Sequence, residues 1–140
     1  MIRTGVELNI EQRAETLIKL VEKLAQESKE TAIIVEGRKD VIALRELGIT
    51  GKIICLQNSG KALANIIEEI SDTQNSVIIL TDFDRYGRKL AGRLLGSLEK
   101  NRVKANLAFW RRIKSLVRHE IKDIEGLPRY MERLKSTLKL

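Results

Sequence analysis

Cysteine and histidine are nearly missing from this chain of 140 residues: Cys55 and His119 stand alone. A single cysteine makes no internal disulfide, and within the apolar run KIICL it is expected to be a buried structural thiol. One cysteine with one histidine excludes a zinc site of the Cys/His type, and His119, with no evident partner, is given no role. No apolar stretch approaches the roughly 18 residues of a membrane span, and no signal-peptide pattern opens the sequence. A cytoplasmic protein without membrane contact is therefore expected. Repeats, low-complexity tracts and linkers are lacking as well. That leaves one domain, residues 1–140, with enough chain to bury a real core.

Charge is what the chain has in quantity, and it is unevenly placed. The net charge is +7, yet residues 1–99 carry 14 Lys+Arg against 15 Asp+Glu, whereas residues 100–140 carry 12 against 4. A basic field confined to one end of a chain suits a polyanion. A charged content of 32% also suits a solvated, heat-tolerant surface, but that alternative does not explain the asymmetry.

Hydrophobic periodicity gives the elements. Ile10, Ala14, Leu17, Val21 and Leu24 share one face of a helix over 9–28, with Asn9 and Gln12 spaced as a capping box. Strands are predicted at 31–36, 52–57, 76–81 and 103–109. Helices are predicted at 39–47, ending at Gly48, at 61–71 after Asn58-Ser59-Gly60, and at 85–99. A last helix starts near Pro128, with Leu127, Tyr130, Met131, Leu134 and Leu138 as its apolar stripe. Segment 111–126 reads as a basic loop, a short strand or a broken helix. Alternating strands and helices predict an α/β fold of about four mostly parallel strands with helices on both faces.

Two apolar strands end in carboxylates: TAIIVEG at Glu36-Gly37, and VIILTDFD at Asp82-Phe83-Asp84. Ligands of open α/β sheets bind beyond the carboxyl ends of the strands. A carboxylate there is costly unless it meets a cation, a donor or water, and clustered oxygens suit Mg²⁺. Ser59-Gly60-Lys61 has the look of a phosphate loop, but the glycine that pattern needs at position 55 is Cys55, so nucleotide hydrolysis of that kind is rejected.

The run VEGRKDVIAL, then LQNSGKAL, then ILTDFDRYGRKLA resembles the Toprim domain shared by type IA and II topoisomerases, bacterial primases, OLD-family nucleases and the 5S ribosomal RNA maturase. The match covers about residues 31–109, with the helix 9–28 before it and a basic extension, 110–140, after it. The resemblance implies a Rossmann-like Toprim fold in which Asp82 and Asp84 hold Mg²⁺, or Mn²⁺ in its place. Glu36 is then a further metal ligand or the general acid/base. These three are the expected catalytic residues. Asp40 lies one turn into its helix, as either a supporting residue or plain surface. Asp123-Ile124-Glu125 resembles a later acidic motif of primases.

Arg38, Lys61, Arg85 and Arg88 (with Lys89) flank these acids and are expected to hold phosphates. Arg111 and Arg112, with Lys114 and Arg118, form a candidate backbone-binding strip. Trp110 is either a base-stacking platform or an anchor in the core. Neither Tyr86 nor Tyr130 stands where a topoisomerase holds its nucleophile, and a primase needs more chain and a zinc module. The expected function is a small Mg²⁺-dependent nuclease or RNA-processing factor acting on nucleic acid, RNA ahead of DNA. The alternatives are a non-catalytic metal- and nucleic-acid-binding module of a larger processing complex, and a scaffold whose metal is structural.

Overall fold

The computed structural model describes residues 8–57 and 59–138; Asn58, predicted to lead into the third helix, lies outside them. The first helix, α1 (Ile10–Glu27), begins with the expected reciprocal cap. Gln12 N–H donates to Asn9 Oδ1 at 2.8 Å and Asn9 N–H donates to Gln12 Oε1 at 3.1 Å. Two of the donors that a helix start leaves unpaired are thereby satisfied. The face this cap directs inward is the apolar one, Ala14, Leu17, Val21 and Leu24.

Strands β1 (Ala32–Val35), β2 (Ile53–Cys55), β3 (Ser76–Ile79) and β4 (Lys104–Asn106) form one parallel sheet in the order β2-β1-β3-β4. Ile33 lies opposite Ile53 on one side and Ile78 on the other. Of the two central strands, β1 is apolar and buried along its whole length and β3 is so from Val77 to Ile79, as parallel strands covered by helices on both faces should be. Strand β2 is half-buried at the edge, so Cys55 is half-buried too, its thiol donating to the Glu36 carbonyl at 3.8 Å.

Helices α2 (Arg38–Glu46), α3 (Leu63–Thr73) and α4 (Arg85–Lys100) are the crossovers. Right-handed crossovers place α2 on one face and α3 with α4 on the other, because β1 leads left in the sheet and β2 and β3 lead right. The packing agrees: α3 touches α4, whereas α2 touches α6 (Leu127–Ser136), which packs with α1. Gly48 ends α2 with φ +92°, a left-handed value that favours glycine.

The predicted fourth strand over 103–109 is shortened by a helix, α5 (Ala108–Val117). Asn106 Oδ1 accepts the Ala108 N–H at 2.8 Å and turns the chain. Phe109, Trp110, Ile113 and Val117 then recur at helical spacing and are all buried. The segment read as loop, strand or broken helix is thus the body of α5 followed by a loop over 118–126. Ile124, Leu127, Tyr130, Met131 and Leu134 join the same core as the sheet.

Candidate metal centre at the switch point of the sheet

Strands β1 and β3 are neighbours whose crossovers leave toward opposite edges and opposite faces of the sheet. The crevice beyond their carboxyl ends is where such folds bind ligands. The chain places an acid at each lip: Glu36 directly after β1, and Asp82 three residues after β3. Glu36 is 5% exposed; its Oε2 accepts the Asp82 N–H at 2.9 Å, a bond that links the two strand ends across the crevice.

Asp40 is the third member. Gly37 opens α2, and the Asp40 side chain, one turn on, reaches back so that Oδ2 accepts the Gly37 N–H at 3.0 Å. This cap aims the carboxylate at the carboxyl end of the sheet and buries it to 6% exposure. One oxygen each from Glu36, Asp40 and Asp82 lies within 4.8 Å of the others, a donor set that could hold a metal ion. All the donors are hard oxygens, which fits Mg²⁺ or a similar cation.

Crowding without a cation is electrostatically expensive. Burial pushes Glu36 up to about 7, helped by the charges of Asp82 and Asp40 and opposed by the Asp82 N–H. Burial likewise raises Asp40 to about 6, with Asp82, Asp123 and Glu125 adding to the rise and the Gly37 N–H opposing it. Asp82 is raised as well, again first by burial, while the Ile124 N–H works the other way. A divalent cation would relieve all three.

Asp84, expected to hold metal beside Asp82, directly precedes α4. It stands outside the group of three, exposed, and caps α4: its Oδ1 accepts the Gly87 N–H at 2.7 Å. It is nonetheless close enough for its charge to raise Asp82. Gly87 is required by packing, because a Cβ there would lie 2.1 Å from the Asp82 carbonyl oxygen. The start of α4 therefore sits directly on the backbone that carries Asp82. Thr81 fastens the same junction, its hydroxyl donating to the Gly87 carbonyl at 2.8 Å.

The loop after α5 completes the surroundings. Phe83 N–H donates to the Lys122 carbonyl at 2.7 Å, and Ile124 N–H donates to Asp82 Oδ1 at 3.0 Å. Glu125 is thereby brought to a cavity of about 360 Å³ that it lines with Glu36, Asp40, Asp82 and Arg38. Asp123 is half-buried and caps the turn to Gly126 at 2.8 Å.

Trp110 is an anchor. It is 6% exposed, its Nε1–H donates to the Thr81 carbonyl at 2.9 Å, and its ring lies beside Phe83, so it offers no face to a base. Lys114 sits over that ring at 5.1 Å. Arg38, Arg85, Arg88, Arg111 and Arg112 are exposed. Arg38 begins α2, Arg85 and Arg88 lie in the first turn of α4, and Arg111 and Arg112 follow the start of α5, all on helices leaving carboxyl ends of strands. Cations at a helix N-terminus oppose its dipole, a local cost that an arriving phosphate would reverse. Lys61, in the loop before α3, is exposed and ion-paired with Glu69 and does not line the carboxylate cavity.

Residues 30–108 match the family model of the Toprim domain. This chain belongs to the Toprim family. A UPF0292 protein of Methanosarcina barkeri is 36% identical over 124 residues, covering 88% of this chain and 85% of the relative. UPF0292 proteins of Thermococcus kodakarensis (36%, covering 79% of each chain) and Methanocaldococcus jannaschii (35%, covering 85% and 92%) are similarly related. Among solved structures, a protein of Aquifex aeolicus superposes with a TM-score of 0.68 at 27% identity, over 79% of this chain and 96% of its own. The Toprim match ends where α5 begins. The loop that delivers Asp123 and Glu125 to the Toprim carboxylates thus comes from beyond the matched segment.

Proposed function

We propose that this Toprim protein is a Mg²⁺-dependent enzyme that cuts nucleic-acid phosphodiesters, a small nuclease or RNA-processing factor with RNA as its preferred substrate. The observation that carries the reading is the convergence of Glu36, Asp40 and Asp82 at the switch point. Asp40 and Asp82 would hold the cation, and Glu36 would either join them or act as acid and base. A Mg²⁺ ion held by these carboxylates would supply charge neutralisation for the phosphoryl oxygens. Glu36 Oε2 is engaged by the Asp82 N–H, which leaves Oε1 to carry the proton. Arg38, Arg85 and Arg88 hold the flanking phosphates and fix the strand, without reading its sequence.

The test is cleavage of labelled single-stranded, duplex and structured RNA and DNA with Mg²⁺ or Mn²⁺, beside Asp82→Ala and Asp40→Ala. Cutting by the native protein and loss of cutting in both variants, with binding kept, is the expected result. Cutting retained by Asp82→Ala overturns the reading. Salt-dependent binding without turnover under any metal replaces it with a recognition module.

A further inference from the structure

On the other side of Glu36 from the carboxylate cavity lies a second, smaller hollow of about 210 Å³. It lies between α3, which follows β2, and α4, which follows β3 and touches α3, with Glu36 at the end of β1 as a further wall. Its floor is apolar: Leu56 after β2, Leu63 and Ile66 on α3, and Leu90 on α4. Tyr86, Leu90 and Arg93 are spaced four and three residues apart and so form one stripe on α4. Tyr86 is 64% exposed, an aromatic ring with no ring partner among the described residues. Arg93 makes no ion pair among the described residues, whereas Lys61 opposite is held by Glu69. Glu36 and Gln57 line both this hollow and the carboxylate cavity, so an occupant here is one wall away from the metal centre.

We infer that this hollow is a subsite for one unpaired nucleotide beside the reacting phosphate, its base on the apolar floor against Tyr86 and its own phosphate on Arg93. The inference rests on the nucleic-acid reading above and gives it a substrate class. The volume is below that of ordinary drug-sized sites and suits one base. A π-face, an apolar floor and an arginine are the elements that hold single-stranded bases. A base still stacked in a duplex cannot enter, so the subsite selects single strands, frayed ends and extruded bases. Of the two cations lining the hollow among the described residues, Arg93 is the one without an ion pair, and it sits at the end of the stripe away from the acids, where a phosphate avoids their repulsion.

The first measurement is methyl and amide NMR of the full chain in chelator, titrated with a dinucleotide, for the native protein, Tyr86→Phe, Tyr86→Ala and Arg93→Gln. Expected are shifts of the Leu63, Ile66 and Leu90 methyls. Affinity should fall about five- to a hundredfold in Tyr86→Ala and change little in Tyr86→Phe. Arg93→Gln should weaken the dinucleotide but not the free nucleoside. Shifts confined to other surfaces, or a Tyr86→Ala variant that binds like the native protein, overturn the subsite. The cleavage assay separates the two ideas. Cutting that Asp82→Ala abolishes and Tyr86→Ala leaves untouched, single strands and duplex alike, refutes the subsite and keeps the enzyme. Dinucleotide binding in the hollow without any metal-dependent cutting keeps the subsite and refutes the enzyme. Failure of both measurements refutes both.

Discussion

Replacing Glu36 by glutamine should stabilise the metal-free protein at alkaline pH while reducing its stabilisation by metal. Glutamine keeps the volume and an oxygen to accept the Asp82 N–H, but removes one of three crowded charges. The folded-state pKa of Glu36 lies above the ordinary value, about 7 against 4.5, so the unfolded chain loses this proton first as pH rises. Stability therefore falls from about pH 4.5 to about pH 7 and stays low above that. The rise corresponds to about 3 kcal/mol of lost stability. For a chain of this size that is on the order of 10 °C in melting temperature. Asp40, raised to about 6, adds a fall in the same direction that the variant retains. Circular-dichroism melts in chelator at about pH 5 and about pH 8, repeated with Mg²⁺, read these quantities. The native protein should melt lower near pH 8 than near pH 5 in chelator and be rescued by Mg²⁺ chiefly at the higher pH, where protons no longer compete. Glu36→Gln should melt above the native protein near pH 8 in chelator and gain less from Mg²⁺. A variant that melts below the native protein there, or a native protein indifferent to pH in this window, would refute the electrostatic reasoning.

Other substitutions separate capping, packing and charge. Gly87→Ala forces a methyl against the Asp82 carbonyl and should cost about 1–3 kcal/mol or more in urea unfolding, with weakened metal binding. Asp84→Ala should lose about 1 kcal/mol as a cap while Asp84→Asn keeps it. If Asp84→Asn instead abolishes metal binding, Asp84 is a ligand after all. Arg111→Ala and Arg112→Ala should each lower nucleic-acid affinity across all sequences and reduce the slope of log K against log salt by about one; an unchanged slope removes them from the interface.

The carboxyl-end carboxylates, the parallel sheet and the helix pattern could be read in the sequence because each has a short local signature. Asp40 was also within reach: a glycine at the helix start with an acid three residues on is a cap, and a cap turns the acid back toward the strand end. Its ambiguity with a surface acid lay in not knowing that this helix starts at a crevice. Asp84 shows the converse, since an acid before a helix serves as cap and as ligand with the same residue type. Alternation through VKANLAF concealed α5, although Phe109, Trp110, Ile113 and Val117 carry the helical period. The placement of Asp123 and Glu125 depends on the bonds from Ile124 and Phe83 to partners some forty residues away, which no local pattern encodes. The nucleotide-sized hollow is likewise a product of two helices meeting, not of any one stretch.

Trp110 gives the molecule a built-in reporter. It is the only indole in the chain, shielded from water, and its N–H rests on the carbonyl of Thr81 with that of Asp82 at 3.3 Å. Any event that shifts the β3 end, such as loading a cation on the Asp82 carboxylate, also shifts the acceptors of that N–H. Ultraviolet fluorescence of the unlabelled protein should therefore follow occupancy of the crevice in real time, with no second tryptophan to blur the signal.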